Sequence, residues 1–194
     1  MWENPRARFL TPALPNTNVT DSNEQSYAIS LVEKESFIDE NFCIGEEAAE
    51  WKTFEEILRT YKETKEWDMS VVEGLAKTLY GEANSCSLLQ KAAVIWCILN
   101  RVDVNGDGYI MGVITYPGQF HGYKTGNPVT EENLEIAKDV LARWELEKAG
   151  YSDVGRVLPG DYRWFGGNGV TNEFRNAYIG GTVWNWSLPS PYEQ

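Results

Sequence analysis

The segment SLLQKAAVIWCILNRV, Ser87 to Val102, constrains this chain more than any other. It has the length of a helix and is apolar almost all round, with no polar stripe to meet water. Such a helix is stable only when other elements cover it on every side. It therefore predicts a domain wrapped around one central helix. The flanking segments offer covers of the right kind. Trp51, Phe54, Leu58 and Tyr61 recur at helical spacing in an amphipathic stretch that starts at Glu46 and runs for about 20 residues. Asp68 to Tyr80 reads as a second helix, with Val72, Leu75, Ala76 and Leu79 as its buried stripe and Ser70 with Glu73 as its capping box. Gly81 is expected to stop or bend that helix. A further helix runs from about Thr130 to Lys148, capped by Thr130, with Glu131 and Glu132 at the positive end of its dipole. Ile136, Val140, Leu141 and Trp144 supply its buried face.

Beyond Lys148 the chain is rich in loops. In PGDYRWFGGNGVTNEFRNAY aromatic residues alternate with Gly and Asn, as in a strand-and-turn ribbon. The expected fold class is thus mainly α, an α+β chain whose C-terminal part is a small β-ribbon with long loops. Residues 1–45 show no clear period. TPALPNTNVTDSNEQS is a Pro/Asn/Thr/Ser cluster that reads as an arm or linker, and YAISLV, Tyr27 to Val32, as a short strand or adherent segment. The division expected is an arm over 1–45 and a folded domain over 46–194, with its core at about 67–188.

Charge and composition remove several classes of function. Net charge is −12, and residues 1–73 carry 16 acidic and 7 basic side chains against 13 and 10 in the remainder. Neither part has the basic stripe that nucleic acid demands. No apolar run reaches the roughly 18 residues of a membrane span, and MWENPRARFL has no apolar stretch behind its arginines to act as a secretory signal. Three cysteines make no disulfide framework. Cys86 and Cys97 bracket most of the central helix, roughly 16 Å apart, too far to bridge. All three cysteines, Cys43 included, read as free thiols. One histidine, His121, and scattered cysteines give no zinc set, so neither metal nor cofactor is expected. Asp103, Asn105, Asp107 and Gly108 match the first half of a calcium loop, but its twelfth position is Ile114, where a bidentate carboxylate belongs. Composition instead favours flat rings: 8 Trp, 10 Tyr and 7 Phe, which pack cores and also line clefts for sugars.

One carboxylate has a telling place. In LYGEAN, Leu79 to Asn84, Glu82 follows a glycine at the junction between a half-buried helix and the central one. A carboxyl group held there loses part of its hydration, which favours the protonated form that a general acid needs. The plain alternative is a surface glutamate at a helix end.

From Trp67 to about Trp186 an ordered series of segments resembles the SleB/CwlJ-type cell wall hydrolases, which include spore cortex-lytic enzymes and related bacterial and phage proteins. LAKTLYGEA is similar to the helix that ends in that family's catalytic glutamate. AAVIWCILNRV is similar to its apolar helix ending in Asn-Arg-Val, GVITYPGQF to the loop that follows, and YRWFGGNGVTNEFR to the aromatic ribbon near the C-terminus. One departure stands out. Many members continue as Gly-Glu-Ala-Arg-Gly-Glu, whereas here Gly81-Glu82-Ala83-Asn84-Ser85-Cys86 lacks the arginine and the second glutamate. That puts in doubt a second carboxylate at this spot, not the role of Glu82.

The resemblance implies a lysozyme-like helical domain that cleaves the β-1,4 bond between N-acetylmuramic acid and N-acetylglucosamine in peptidoglycan, as a lytic transglycosylase. It implies Glu82 as general acid/base, with Tyr80, Gln119, Phe120, Trp164, Phe165 and Asn172 beside the glycan and Phe174 as a further ring. The partner implied is the peptidoglycan strand, met by a monomer that is secreted or associated with wall or spore. Hydrolysis with water ordinarily takes two carboxylates; attack by the sugar's own 6-hydroxyl relaxes that requirement. Asp103, Asp107, Asp161 and Glu173 are the acids available as seconds. Two other readings stand beside this one: an amidase cutting between muramic acid and peptide, and a non-enzymatic module that holds glycan through its rings.

Overall fold

A computed structural model describes residues 53–168 and 170–192, all within the unit Ile44–Gln194. Its elements in order are α1 (Phe54–Thr64), α2 (Met69–Ala83), α3 (Leu88–Asn105), α4 (Ile110–Thr115), α5 (Glu131–Lys148), β1 (Trp164–Gly167) and β2 (Asn172–Arg175). The described residues are mainly helical with one small antiparallel sheet, as their patterning requires.

α3 is the centre. Every residue from Lys91 to Asn100 is buried, and Trp96, Ile95, Ile98 and Leu99 have no exposed surface. Each such side chain contributes roughly 1.5–3 kcal/mol through burial. α2, α4, α5 and β1 all pack on α3. Ser87 starts it by accepting the Gln90 backbone N–H, and Gly106 ends it in the left-handed conformation at φ 73°. α5 crosses α1, α2 and α3. Thr130 caps α5 through the Asn133 N–H. A satellite cluster of Leu58, Ala142 and Leu146 joins α1 to the far end of α5.

Several local expectations need correction. α1 is shorter than the periodicity implies: Thr53 and Glu56 form a capping box at its start, and Trp51 lies outside the described residues. So do YAISLV, Cys43 and the expected boundary at residue 45. α2 is capped not by Ser70 but by Asp68, whose carboxylate accepts from the Ser70 N–H and hydroxyl at 2.9 and 2.7 Å. A charged acceptor two residues upstream outcompetes the hydroxyl. α2 also runs through Gly81 to Ala83. A glycine costs a helix about 1 kcal/mol but does not end it when packing on both sides holds the backbone.

The half calcium loop is absent as a loop. Asp103 lies on α3, where it accepts from Trp144 Nε1 at 3.1 Å and pairs with Lys148 at 2.7 Å. Asp107 accepts the Tyr109 N–H at 3.0 Å. α4 follows directly, burying Ile110, Val113 and Ile114 against α2 and α3. Six residues are too few for a helical period to stand out beside NGDG. No helix of the described residues is long and apolar enough to cross a membrane.

The C-terminal ribbon is anchored from α3. Asn100 donates through Nδ2 to the carbonyls of Pro159 and Tyr162, both at 2.8 Å, and accepts from Arg156 Nη1 at 2.7 Å. β1 and β2 pair with Phe165 opposite Phe174 and Gly167 opposite Asn172. The Trp184 N–H extends the ribbon by donating to the Phe174 carbonyl at 2.9 Å.

Candidate active site

Glu82 sits in the last turn of α2 and is partly exposed. It is therefore a helical residue, not the first residue beyond a helix. The loop that follows α4 comes back across this turn. Backbone meets backbone there: a Cβ on Gly81 would lie 1.8 Å from the Gly122 carbonyl oxygen, and one on Gly122 would lie 2.4 Å from the Gly81 carbonyl carbon. Two glycines face each other because no side chain fits between the strands of chain. The approach brings the Gly122 N–H to Glu82 Oε1 at 2.6 Å. Asn127 holds the loop in place, donating from Nδ2 to the carbonyls of Gly122 at 2.7 Å and Lys77 at 3.0 Å. Among the described residues Glu82 Oε2 has no partner, so one carboxyl oxygen is fixed and the other is free.

The ribbon closes a second side. Asn172 is buried; its Nδ2 reaches the Glu82 carbonyl at 3.5 Å and Cys86 Sγ at 3.6 Å, and its N–H donates to Gln90 Oε1 at 2.8 Å. This residue positions the backbone behind Glu82; its amide is spent on protein atoms.

The remaining candidates gather around Arg101, which leaves α3 toward the loop. Its guanidinium lies 5.0 Å from the Phe120 ring centre and 4.8 Å from that of Trp164, a cation between two aromatic faces. Its Nε donates to the Arg163 carbonyl at 2.6 Å and its Nη1 to Gln119 Oε1. Phe120 is buried and meets Phe165 at 6.0 Å between ring centres; Phe165 meets Phe174 at 5.6 Å. Phe120 and Phe174 are thus core rings, while Trp164 and Phe165 keep part of their surface. Trp164 also packs on the exposed Tyr178 at 5.2 Å.

The fold therefore links Glu82, Gln119, Phe120, Trp164, Phe165 and Asn172 through one loop and one ribbon. Tyr80 is half-buried on α2, and its hydroxyl bonds to none of the described residues. His121 is exposed next to Gly122. The acids named as seconds are occupied elsewhere: Asp103 and Asp107 as above, Glu173 with Arg175, and Asp161 as acceptor from Asn176 at 3.4 Å.

Sequence reasoning missed Gly122, Asn127 and Gln90. Gln90 had a readable signal, a polar side chain at the head of an otherwise apolar helix. Gly122 and Asn127 had none, since their roles depend on a loop returning across α2.

Elsewhere, Cys86 and Cys97 are free and buried, and burial pushes the Cys97 thiol up to about 11 despite the opposing pull of Arg101 and Arg163. A depression of about 380 Å³ lies between α1 and α5, lined by Glu55, Arg59, Lys62 and Asp139, remote in sequence from Glu82. It is polar, open and bridged by ion pairs. Among the described residues no group of His, Cys, Asp and Glu could hold a metal ion. Compared with known proteins, the chain matches no family model, no curated protein and no solved structure.

Proposed function

We propose that the chain is a peptidoglycan-cleaving glycosidase of the SleB/CwlJ type, acting as a lytic transglycosylase with Glu82 as its single acid and base. The observation that supports this most is the asymmetric hold on Glu82: Oε1 fixed by the Gly122 N–H at 2.6 Å, Oε2 without a partner among the described residues, and the ribbon that bears Trp164 and Phe165 reaching the Glu82 carbonyl through Asn172 at 3.5 Å. A fixed carboxyl group with one free oxygen can present its proton in a set direction. Oε2 delivers that proton to the glycosidic oxygen as the bond from C1 of N-acetylmuramic acid breaks. The same oxygen then accepts the proton of the sugar's 6-hydroxyl as O6 bonds to C1. The product is a 1,6-anhydro end, and no water is consumed. This scheme fits a site in which the other candidate acids are engaged elsewhere. The protein would act on wall or cortex glycan outside the membrane, as a monomer and without a cofactor.

Glu82→Gln is the direct test, because glutamine can still accept the Gly122 N–H. The variant should bind sacculi as the parent does and lose cleavage by about 10²–10⁴-fold or more, the usual contribution of a general acid/base. Unchanged cleavage overturns the assignment. Mass spectrometry of released muropeptides reads the bond: an anhydro-muramic end supports the transglycosylase, and a reducing end supports hydrolysis. A freed peptide, with activity lost to chelator, supports the amidase. Binding without any cleavage supports the glycan-holding module.

A further inference from the structure

Among the described residues, every buried or half-buried Lys or Arg other than two is opposed by a carboxylate, as Lys91 is by Glu132 and Arg156 by Glu147. The two exceptions, Arg101 and Arg163, stand side by side. Arg101 Nε donates to the Arg163 carbonyl at 2.6 Å, and both guanidinium groups lie near the Cys97 thiol. That thiol remains protonated at neutral pH and supplies no countercharge. Arg163 Nε is shielded from solvent and has no hydrogen-bond partner, although the residue as a whole is half-exposed. Burial lowers the affinity of Arg101 for its proton; the Cys97 sulfur beside it opposes the shift only in part, and the nearby Arg163 adds to it. Two adjacent unopposed cations are costly in a protein. They are odder still in a chain of net charge −12, where acids are in excess. Their position is informative. Arg101 holds Gln119 in the loop whose Gly122 fixes Glu82, and Trp164 on the ribbon.

We propose that Arg101 and Arg163, tied to Glu82 through the loop from Gln119 to Gly122, form an anion site that takes a carboxylate of the substrate, the half-exposed guanidinium of Arg163 being its open end. The inference rests on the peptidoglycan reading above and deepens it. Peptidoglycan offers that carboxylate from two sources, the stem peptide or the bare lactyl group of muramic acid where the peptide has been removed. Arg101 is also a positioning residue, so the site couples ligand charge to the placement of the loop.

The test compares the parent, Arg163→Gln and Arg163→Lys on three substrates: intact strands with stem peptides, strands stripped to free lactyl carboxylates, and stripped strands whose lactyl groups are methyl-esterified. Loss of a charge-assisted bond should raise KM by about tenfold with kcat little changed. The rise should occur on whichever carboxylate-bearing substrate the site reads, be smaller for Arg163→Lys, and vanish on the ester. An equal rise on all three substrates, or none on any, overturns the site. A second measurement does not depend on cleavage. The parent is titrated with N-acetylmuramyl dipeptide, N-acetylmuramic acid and their uncharged amides while arginine side-chain N–H resonances are followed. The Arg163 Nε–H should shift with an acid and not with its amide. Absence of that shift overturns the site. A shift in a folded protein that cleaves none of the strands keeps the anion site and overturns the proposed function.

Discussion

At the scale of the residue, the geometry around Glu82 depends on two positions that carry no side chain. A methyl group at 81 would collide with backbone, not with the end of a flexible side chain, so relaxation requires the loop to move. Gly81→Ala is therefore expected to destabilise the fold by at least the about 1–3 kcal/mol typical of overpacking, although alanine is the better helix former. Urea unfolding measures it. Activity should fall further than stability predicts, because the Gly122 N–H is displaced from the carboxylate. A Gly81→Ala protein as stable and active as the parent would show that the close approach is absent in solution.

At the scale of the element, three α3 side chains hold the ribbon: Gln90 at the Asn172 N–H, Arg101 at the Arg163 carbonyl, and Asn100 at both Pro159 and Tyr162. Asn100→Ala leaves the buried Tyr162 carbonyl and one Arg156 guanidinium N–H unpaired, at about 1–3 kcal/mol for each, while the Pro159 carbonyl keeps the Tyr162 N–H at 3.1 Å. Asn100→Asp keeps the acceptor for Arg156 and loses both donors. Both variants should lower the urea midpoint, with Asn100→Ala retaining helical circular dichroism while the near-ultraviolet signal of the ribbon tryptophans weakens. How much of this was legible varies by element. The all-apolar run fixed α3 as the centre, and the alternation of rings with Gly and Asn announced the ribbon. α4 was hidden because six residues cannot display a period, and NGDG before it is turn chemistry whatever follows. The end of α2 was misread because glycine signals termination by local preference, while here tertiary contact with Gly122 demands it. Glu82 was readable as a carboxylate between two buried helices; its anchor was not, since 40 residues separate it from Gly122.

At the scale of the whole molecule, stability should respond to acid through the cluster around Asp139 between α1 and α5. Burial alone would push the Asp139 carboxyl up, but Arg143 and Lys62, with bonds of 2.8 Å each, outweigh it and hold it below the ordinary carboxylate value. Tyr192 donates to the same carboxylate at 2.8 Å. The sign follows: a group with a lowered folded value adds stability above its unfolded value, about 4, and that stability is lost as pH falls through the folded value. Melting temperature should decline below about pH 4, and Asp139→Asn should flatten the decline. An unaltered acid limb in the variant would assign the effect to other carboxylates.

The paired glycines have a consequence for any attempt to reshape this protein. With no side chain available at either crossing point, selection cannot tune the reach of the acid there by graded substitutions. Under the proposed function, variation that alters substrate preference would have to enter elsewhere, at Gln119, Trp164 and the ribbon, while a saturation library should return positions 81 and 122 as invariant.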